Sequence, residues 1–184
     1  MNICKNGEIN IRILRRSDSY LLQKWLSNPQ VLEYYEGRDH CFNEQMIQNK
    51  FYVPNPQKTR CIIEYFKEPI GYLQFYPLAE DEYVEYGYKA LSNNMYGVDM
   101  FLGETQYWNK GIGTDTMKEI VKYLICKKGA QKILLDPQCR NTRAIACYKK
   151  SGFKKTQLLP DCEMHEGKKE DCWLMEYDAM QCLQ

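Results

Sequence analysis

A chain of 184 residues, 44% hydrophobic and 27% charged, is long enough for one domain with a packed core and too short for two of ordinary size. Its formal net charge of +1 argues against an obligate nucleic-acid binder, and no apolar run approaches the length of a membrane span. The start, MNICKNGEINIRIL, lacks the apolar stretch of a secretory signal, so the expectation is a cytoplasmic protein, one domain over residues 1–184, monomeric or a weak homodimer.

The elements follow in chain order. Glu8 to Leu14 alternates and predicts a strand. Ser17 or Asp18 can cap a helix through about Ser27, with Leu21, Leu22, Trp25 and Leu26 on one face, before Asn28-Pro29 breaks it. After VLEYYEG, Asn43 can cap a second helix whose Met46, Ile47 and Phe51 face inward; Pro54 and Pro56 end it. The period then changes: Thr59–Phe66 and Ile70–Tyr76 predict a β-hairpin across Lys67-Glu68-Pro69. An acidic loop, AEDEYVEY, leads to the strand YGVDMFLG, in which Asp99 stands alone among apolar neighbours. A helix from Gly111 to about Lys127 buries Ile112, Met117, Ile120, Val121 and Leu124 and stops at Gly129. The short run KILL predicts a strand buried on both faces, Asn141 caps a helix to about Ser151, and two strands near 153–159 and 172–177 close the chain. Strands followed by a strand–helix–strand–helix–strand tail predict a mixed α/β sheet covered by helices.

Nine cysteines, an odd number without a secretory signal, predict free thiols. Cys162 and His165 with Cys172 nearby lack the paired spacing of a zinc site, so no metal is expected. Neither Cys139 nor Cys147 has a histidine close in sequence, which disfavours a catalytic thiol.

Charge is unevenly spread. Residues 60–104 carry three Lys/Arg against eight Asp/Glu, net −5, and residues 105–155 carry twelve against three, net +9. Solvated helix faces and loops would account for this; so would separate sites for a cation and an anion. Within the basic region, NKGIGT joins a strand to a helix. Gly111 and Gly113 let the backbone turn tightly and leave first-turn amides outward, an arrangement suited to phosphate. No G-K-[ST] follows, and the third glycine of a dinucleotide fingerprint is missing.

The second motif, Asn141-Thr142-Arg143-Ala144-Ile145-Ala146-Cys147-Tyr148-Lys149-Lys150-Ser151-Gly152-Phe153, follows in a strand–helix–strand–helix order. Together the two motifs resemble the GNAT superfamily of acetyl-CoA-dependent N-acetyltransferases, over most of the chain. Family pyrophosphate loops usually begin with Gln or Arg where this chain has Trp108. Within the superfamily, WLSNPQVLEYYEGRD, EPIGYLQFY, YGVDMFLGE, LDPQCRNTRAIACYKKSGF and HEGKKEDCWLMEY are similar to the aminoglycoside 6′-N-acetyltransferases.

The resemblance implies a central, mostly antiparallel twisted sheet, flanked by helices and splayed at the acetyl-CoA-binding strand. It implies acetyl transfer from acetyl-CoA, without a metal, to the 6′-amine of polycationic aminoglycosides such as kanamycin and tobramycin, hence antibiotic resistance. The backbone of Met100, Phe101 and Leu102 would pair with the pantetheine arm. Trp108, Asn109, Lys110, Gly111, Ile112, Gly113 and Thr114 would hold the pyrophosphate, and Asn141 would fix the arm or simply cap its helix. Asp99 would orient the substrate ammonium and accept its proton, or else be an acid paired with a basic side chain. Tyr148 would protonate the departing thiolate, or be a core aromatic. A sugar bearing several ammonium groups needs carboxylates and aromatic surfaces; candidates are Tyr34, Tyr35, Glu36, Asp81, Glu82, Asp99, Asp136, Glu170 and Asp171, with the resemblance pointing most directly to Asp136 and the early aromatics. Alternatives from other classes are acetylation of a protein N-terminus or a lysine-like amine, and a degenerate acetyl-CoA sensor.

Overall fold

Eight strands form a single sheet in the order β1-β2-β3-β4-β5-β6-β8-β7 in the computed structural model, which describes residues 1–88 and 94–182, with the side chains of Glu80, Asp81, Glu85, Gln181 and Cys182 outside that description. The strands are β1 (Asn2–Asn6), β2 (Ile9–Ile13), β3 (Thr59–Tyr65), β4 (Glu68–Pro77), β5 (Met95–Leu102), β6 (Lys132–Leu135), β7 (Lys154–His165) and β8 (Lys168–Asp178). The helices are α1 (Ser19–Trp25), α2 (Pro29–Leu32), α3 (Glu44–Ile47), α4 (Glu80–Glu85), α5 (Ile112–Lys128) and α6 (Thr142–Lys150). Among the described strands only the β5–β6 pair is parallel.

Alternation along the strands sends neighbouring side chains to opposite faces. Ile63, Leu73 and Val98 pack under α5 with Met117, Ile120, Val121 and Leu124. Ile62, Tyr72 and Phe101 face the other way, onto Leu22 and Trp25 of α1, Leu26 just beyond it, and Ile47 and Phe51. The sheet is therefore covered on both sides, as the mixed α/β reading requires.

Several local expectations are corrected. The chain opens with a strand the pattern did not show, because β1 is a mostly exposed edge and carries no clean alternation. Asp18 does not cap α1; its carboxylate accepts two bonds from Arg12, at 2.7 and 2.9 Å, and one from the Arg15 amide at 2.7 Å. Asn28-Pro29 ends one helix but also starts α2, since Asn28 accepts from the Gln30 amide and Pro29 lacks only a donor the first turn does not need. The β3–β4 hairpin turns at Phe66 and Lys67, both with positive φ, so Pro69 lies inside β4. The acidic segment is helical over Glu80–Glu85, and β7 and β8 extend well beyond the predicted strands into a long hairpin.

The feature that shapes the site is where pairing stops. β4 pairs with β5 from Tyr96 through Leu102, but β6 pairs with β5 only at Met95, Tyr96 and Gly97. Asp136-Pro137 ends β6 after four residues, and proline has no amide to continue a ladder. Beyond Gly97 the two strands diverge.

Candidate active site

At the β4–β5 seam Leu78 N donates to Met95 O and Gly103 N donates to Ile70 O. Antiparallel alternation then points the backbone groups of Gly97, Asp99 and Phe101 at β4 and those of Val98, Met100 and Leu102 into the gap left by β6. Trp108 Nε1 donates to Leu102 O at 2.8 Å and occupies that carbonyl.

The divergence opens a cavity of about 690 Å³. Its floor holds Asp99, whose Oδ2 accepts a 2.6 Å bond from Gln74 Nε2 on β4, the residue directly opposite in register. Thus a neutral amide, rather than a basic side chain, is its direct partner. Burial lifts the Asp99 carboxyl to about 6; the Gln74 bond and Lys58 oppose the rise, while Asp136 and Glu36 add to it. Asp136 emerges where β6 ends, accepts from the Tyr86 hydroxyl at 3.2 Å, and is likewise held above its ordinary value by burial. Glu36, in a left-handed turn with φ 72°, and Glu163 complete a wall of carboxylates. Glu36 is paired with Lys50. Gln138, itself buried, donates to Glu163 at 2.9 Å and shares a 3.0 Å hydrogen bond with buried His165. Tyr35 packs against Phe101 with ring centroids 4.6 Å apart.

The other end of the cavity has the opposite character. Asn109 (φ 59°) and Gly111 (φ 82°) both take left-handed backbone, and Gly111 is the N-cap of α5. The first-turn amides of this 17-residue helix have no carbonyl inside it to bond. Arg143 lies over the Trp108 ring at 3.5 Å and near Tyr34 at 5.6 Å, and Lys150 also lines this end. Gly113 approaches α6 closely, because a Cβ there would lie 3.4 Å from Cys147 Sγ. Tyr148, one residue on, is only 7% exposed, and burial keeps its phenol well above the usual tyrosine range. Asn141 Oδ1 accepts from the Ala144 amide at 3.1 Å, leaving its Nδ2 for other use.

Tyr34, Tyr35, Glu36, Asp99, Met100, Phe101, Leu102, Trp108, Asn109, Gly111, Gly113, Thr114, Asp136, Asn141 and Tyr148 all line this one cavity. Other candidates lie elsewhere. Ile112 is buried in the α5 core, which leaves only its amide for a ligand, and Lys110 points outward over Tyr107. Glu82 accepts from the Ala79 amide at the start of α4. Glu170 lies 3.6 Å from Arg140, and Asp171 accepts from the Asp161 amide. The Asp81 side chain lies outside the described residues. Among the described residues of the acidic segment, Tyr86 reaches the site through its bond to Asp136. Gln74, Gln138, Arg143 and Glu163 were not singled out from the sequence, although Gln74 could have been found by pairing β4 against β5.

Among the described residues no cluster of His, Cys, Asp and Glu is arranged to hold a metal, no helix is long and apolar enough to cross a membrane, and the eight cysteines covered are free thiols.

A splayed strand edge leading to a glycine-turned helix N-terminus, with a carboxylate and a neutral phenol between them, defines an acyl-CoA-dependent transferase. The acetyltransferase (GNAT) domain family matches residues 15–159, and the chain belongs to that family. Aminoglycoside N(6′)-acetyltransferase type 1 from Klebsiella pneumoniae is 28% identical over 164 residues, covering 85% of this chain and 80% of the relative. The structure of AAC(6′)-Ib with ribostamycin and coenzyme A is similar in fold, with a TM-score of 0.76 at 24% identity over 97% of each chain. Spermidine N-acetyltransferase from Vibrio cholerae, solved with CoA and spermine, reaches a TM-score of 0.78 at 15% identity, covering 97% of this chain and 100% of that one.

Proposed function

We propose that this enzyme transfers the acetyl group of acetyl-CoA to the 6′-amine of aminoglycosides such as kanamycin and tobramycin, in the cytoplasm, and so confers resistance to them. The observation that carries the reading is the division of one cavity into a carboxylate wall (Glu36, Asp99, Asp136, Glu163) and an amide-and-arginine end. A sugar with several ammonium groups complements the first, and a pyrophosphate complements the second. The 28% identical Klebsiella relative, matched over most of both chains, points to the same acceptor.

Acetyl-CoA, when bound, supplies the acetyl thioester; the chain supplies position and protons. The amides of Ile112, Gly113 and Thr114 and the Arg143 guanidinium fit its phosphates, and the outward backbone of Val98 and Met100 fits an amide-bearing arm laid along β5. Asp99 holds the acceptor ammonium and takes its proton. An ordinary carboxyl near ~4 would face an amine near ~10, a gap of roughly six units. With Asp99 at about 6 the gap narrows to roughly four, and desolvation of the amine in the cavity narrows it further. Tyr148, kept neutral, donates its hydroxyl proton to the departing thiolate.

A thiol-release assay with acetyl-CoA and a panel of amines tests this. Turnover with kanamycin and tobramycin, and none with analogues bearing a hydroxyl at the 6′ position, is expected. Turnover of spermidine or a peptide N-terminus without kanamycin turnover would overturn the reading, and no turnover of any amine would indicate an acetyl-CoA sensor.

A further inference from the structure

The site contains amines of its own. Among the described residues three lysines line the cavity: Lys50, Lys58 and Lys150. Lys50 is tied to Glu36, and Lys150 lies in the last turn of α6, at the arginine end. Lys58 differs from both. No carboxylate of a described residue lies within ion-pair distance of its Nζ, which stands 4.8 Å from the centroid of the Tyr76 ring. The Tyr76 ring in turn fills the space where Gly97 lacks a side chain, since a Cβ on Gly97 would lie 2.7 Å from it. Tyr76 pairs with Gly97 across β4–β5, and Gln74 pairs with Asp99 one step along the same face. The Lys58 ammonium is thus held by a cation–π contact to a ring whose pair lies two residues along the strand from Asp99. Its charge also acts on the Asp99 carboxyl, opposing the rise that burial causes. Residues 53–58, before β3, are exposed, and among the described residues the Tyr76 ring is the recorded contact of the Lys58 ammonium.

We propose that Lys58 is a self-acetylation site: when no acceptor fills the cavity, its ε-amine takes the acetyl group itself. This rests on the function proposed above. Deprotonated Nζ attacks the thioester carbonyl carbon, the N–C bond forms and the C–S bond breaks. The amine proton passes to Asp99, and the sulfur leaves as the thiol with a proton from Tyr148. The sum is ammonium plus acetyl thioester giving amide, thiol and one proton. Lys58 carries the same functional group as the proposed acceptor, and tethering spares it the entropy of association. A polycation on the carboxylate wall competes for the same space. Once acetylated, Lys58 no longer opposes the rise of the Asp99 carboxyl, so residual acetylation of kanamycin needs a higher pH.

The test is peptide mass spectrometry of the intact protein incubated with acetyl-CoA alone. Lys58 should gain an acetyl group roughly 100-fold faster than exposed lysines such as Lys118 and Lys127, Asp99→Asn should slow that gain to about the rate of those surface lysines, and excess kanamycin should suppress it. Lys58→Arg should abolish the mark while the remaining lysines react as before. Acetylation of Lys58 no faster than of surface lysines, equally fast in D99N, or indifferent to kanamycin would overturn the inference. A preparation that acetylates kanamycin yet leaves Lys58 bare overturns self-acetylation alone; one that acetylates no amine overturns the proposed function with it.

Discussion

Replacing Asp99 with Asn should make the protein more stable and nearly inactive at once. Asn keeps the shape of Asp, and the Gln74 amide still meets an oxygen, so packing is retained. What changes is charge. The folded carboxyl sits at about 6, against an ordinary value of 3.8. Between those two values the folded state still holds a proton the unfolded chain has released, so wild-type stability falls as pH rises from about 4 to about 6. A shift of about two units is worth about 3 kcal/mol, which corresponds to about 6–12 °C in Tm for a chain of this size. D99N lacks that penalty. Its Tm should match wild type near pH 4 and exceed it by most of that margin above pH 6, while kcat/KM falls roughly 100-fold or more. Thermal unfolding across pH, run beside the thiol-release assay, reads both. A Tm gain that does not grow with pH, or kcat/KM within tenfold of wild type, would refute the role assigned to this carboxyl.

For the wild type, log kcat/KM should decline below about 6 with the Asp99 carboxyl, and a flat profile between pH 5 and pH 8 would count against it. Tyr148→Phe removes only a hydroxyl from a residue already packed against Phe153, so Tm should hold while kcat drops roughly 100-fold; an unchanged kcat would remove Tyr148 from the mechanism. Raising salt from about 0.05 to about 0.5 M should raise KM for kanamycin several-fold through screening of the carboxylate wall, and a constant KM would argue against charge recognition. Gly103→Ala would place a Cβ 2.1 Å from Cγ of Trp25. Trp25 is fully buried and donates from Nε1 to Glu104, so it cannot yield, and a loss of about 3 kcal/mol is expected in chemical denaturation.

The parts of the fold legible in the sequence were those where one physical pattern dominates. The apolar stripe of α5 and its glycine stop, the Asn141 cap and the buried strand KILL each follow from local chemistry. Asp99 was conspicuous because an acid inside an apolar strand needs a reason. The site residues that escaped notice depend on partners far away in sequence. Glu163 reaches the cavity because β7 shifts register between Leu159 and Glu163, a bulge that periodicity does not announce. Glu170 and Asp171 look equally suitable as a string of acids, yet the hairpin commits them to Arg140 and the Asp161 amide. Arg143 lay inside a recognised motif, but only its stacking on Trp108 marks it as part of the anion end.

That stacking bears on the departure at Trp108. Where family loops usually carry a polar side chain, this chain has an indole that binds Leu102 O and supports the Arg143 guanidinium from below. The guanidinium is desolvated there, which lowers its proton affinity, and it has no carboxylate partner among the described residues. A cation in that state gains most from an anionic ligand. The same reasoning applies to the strand edge. Backbone donors and acceptors left unpaired inside a protein are costly, yet β6 stops short and leaves Val98 and Met100 open. Extending β6 would close the edge and fill the cavity between Asp99 and Tyr148. The chain instead keeps two incomplete partners side by side, a bare strand edge and an unpaired arginine, and a single ligand with an amide-bearing arm and phosphates completes both.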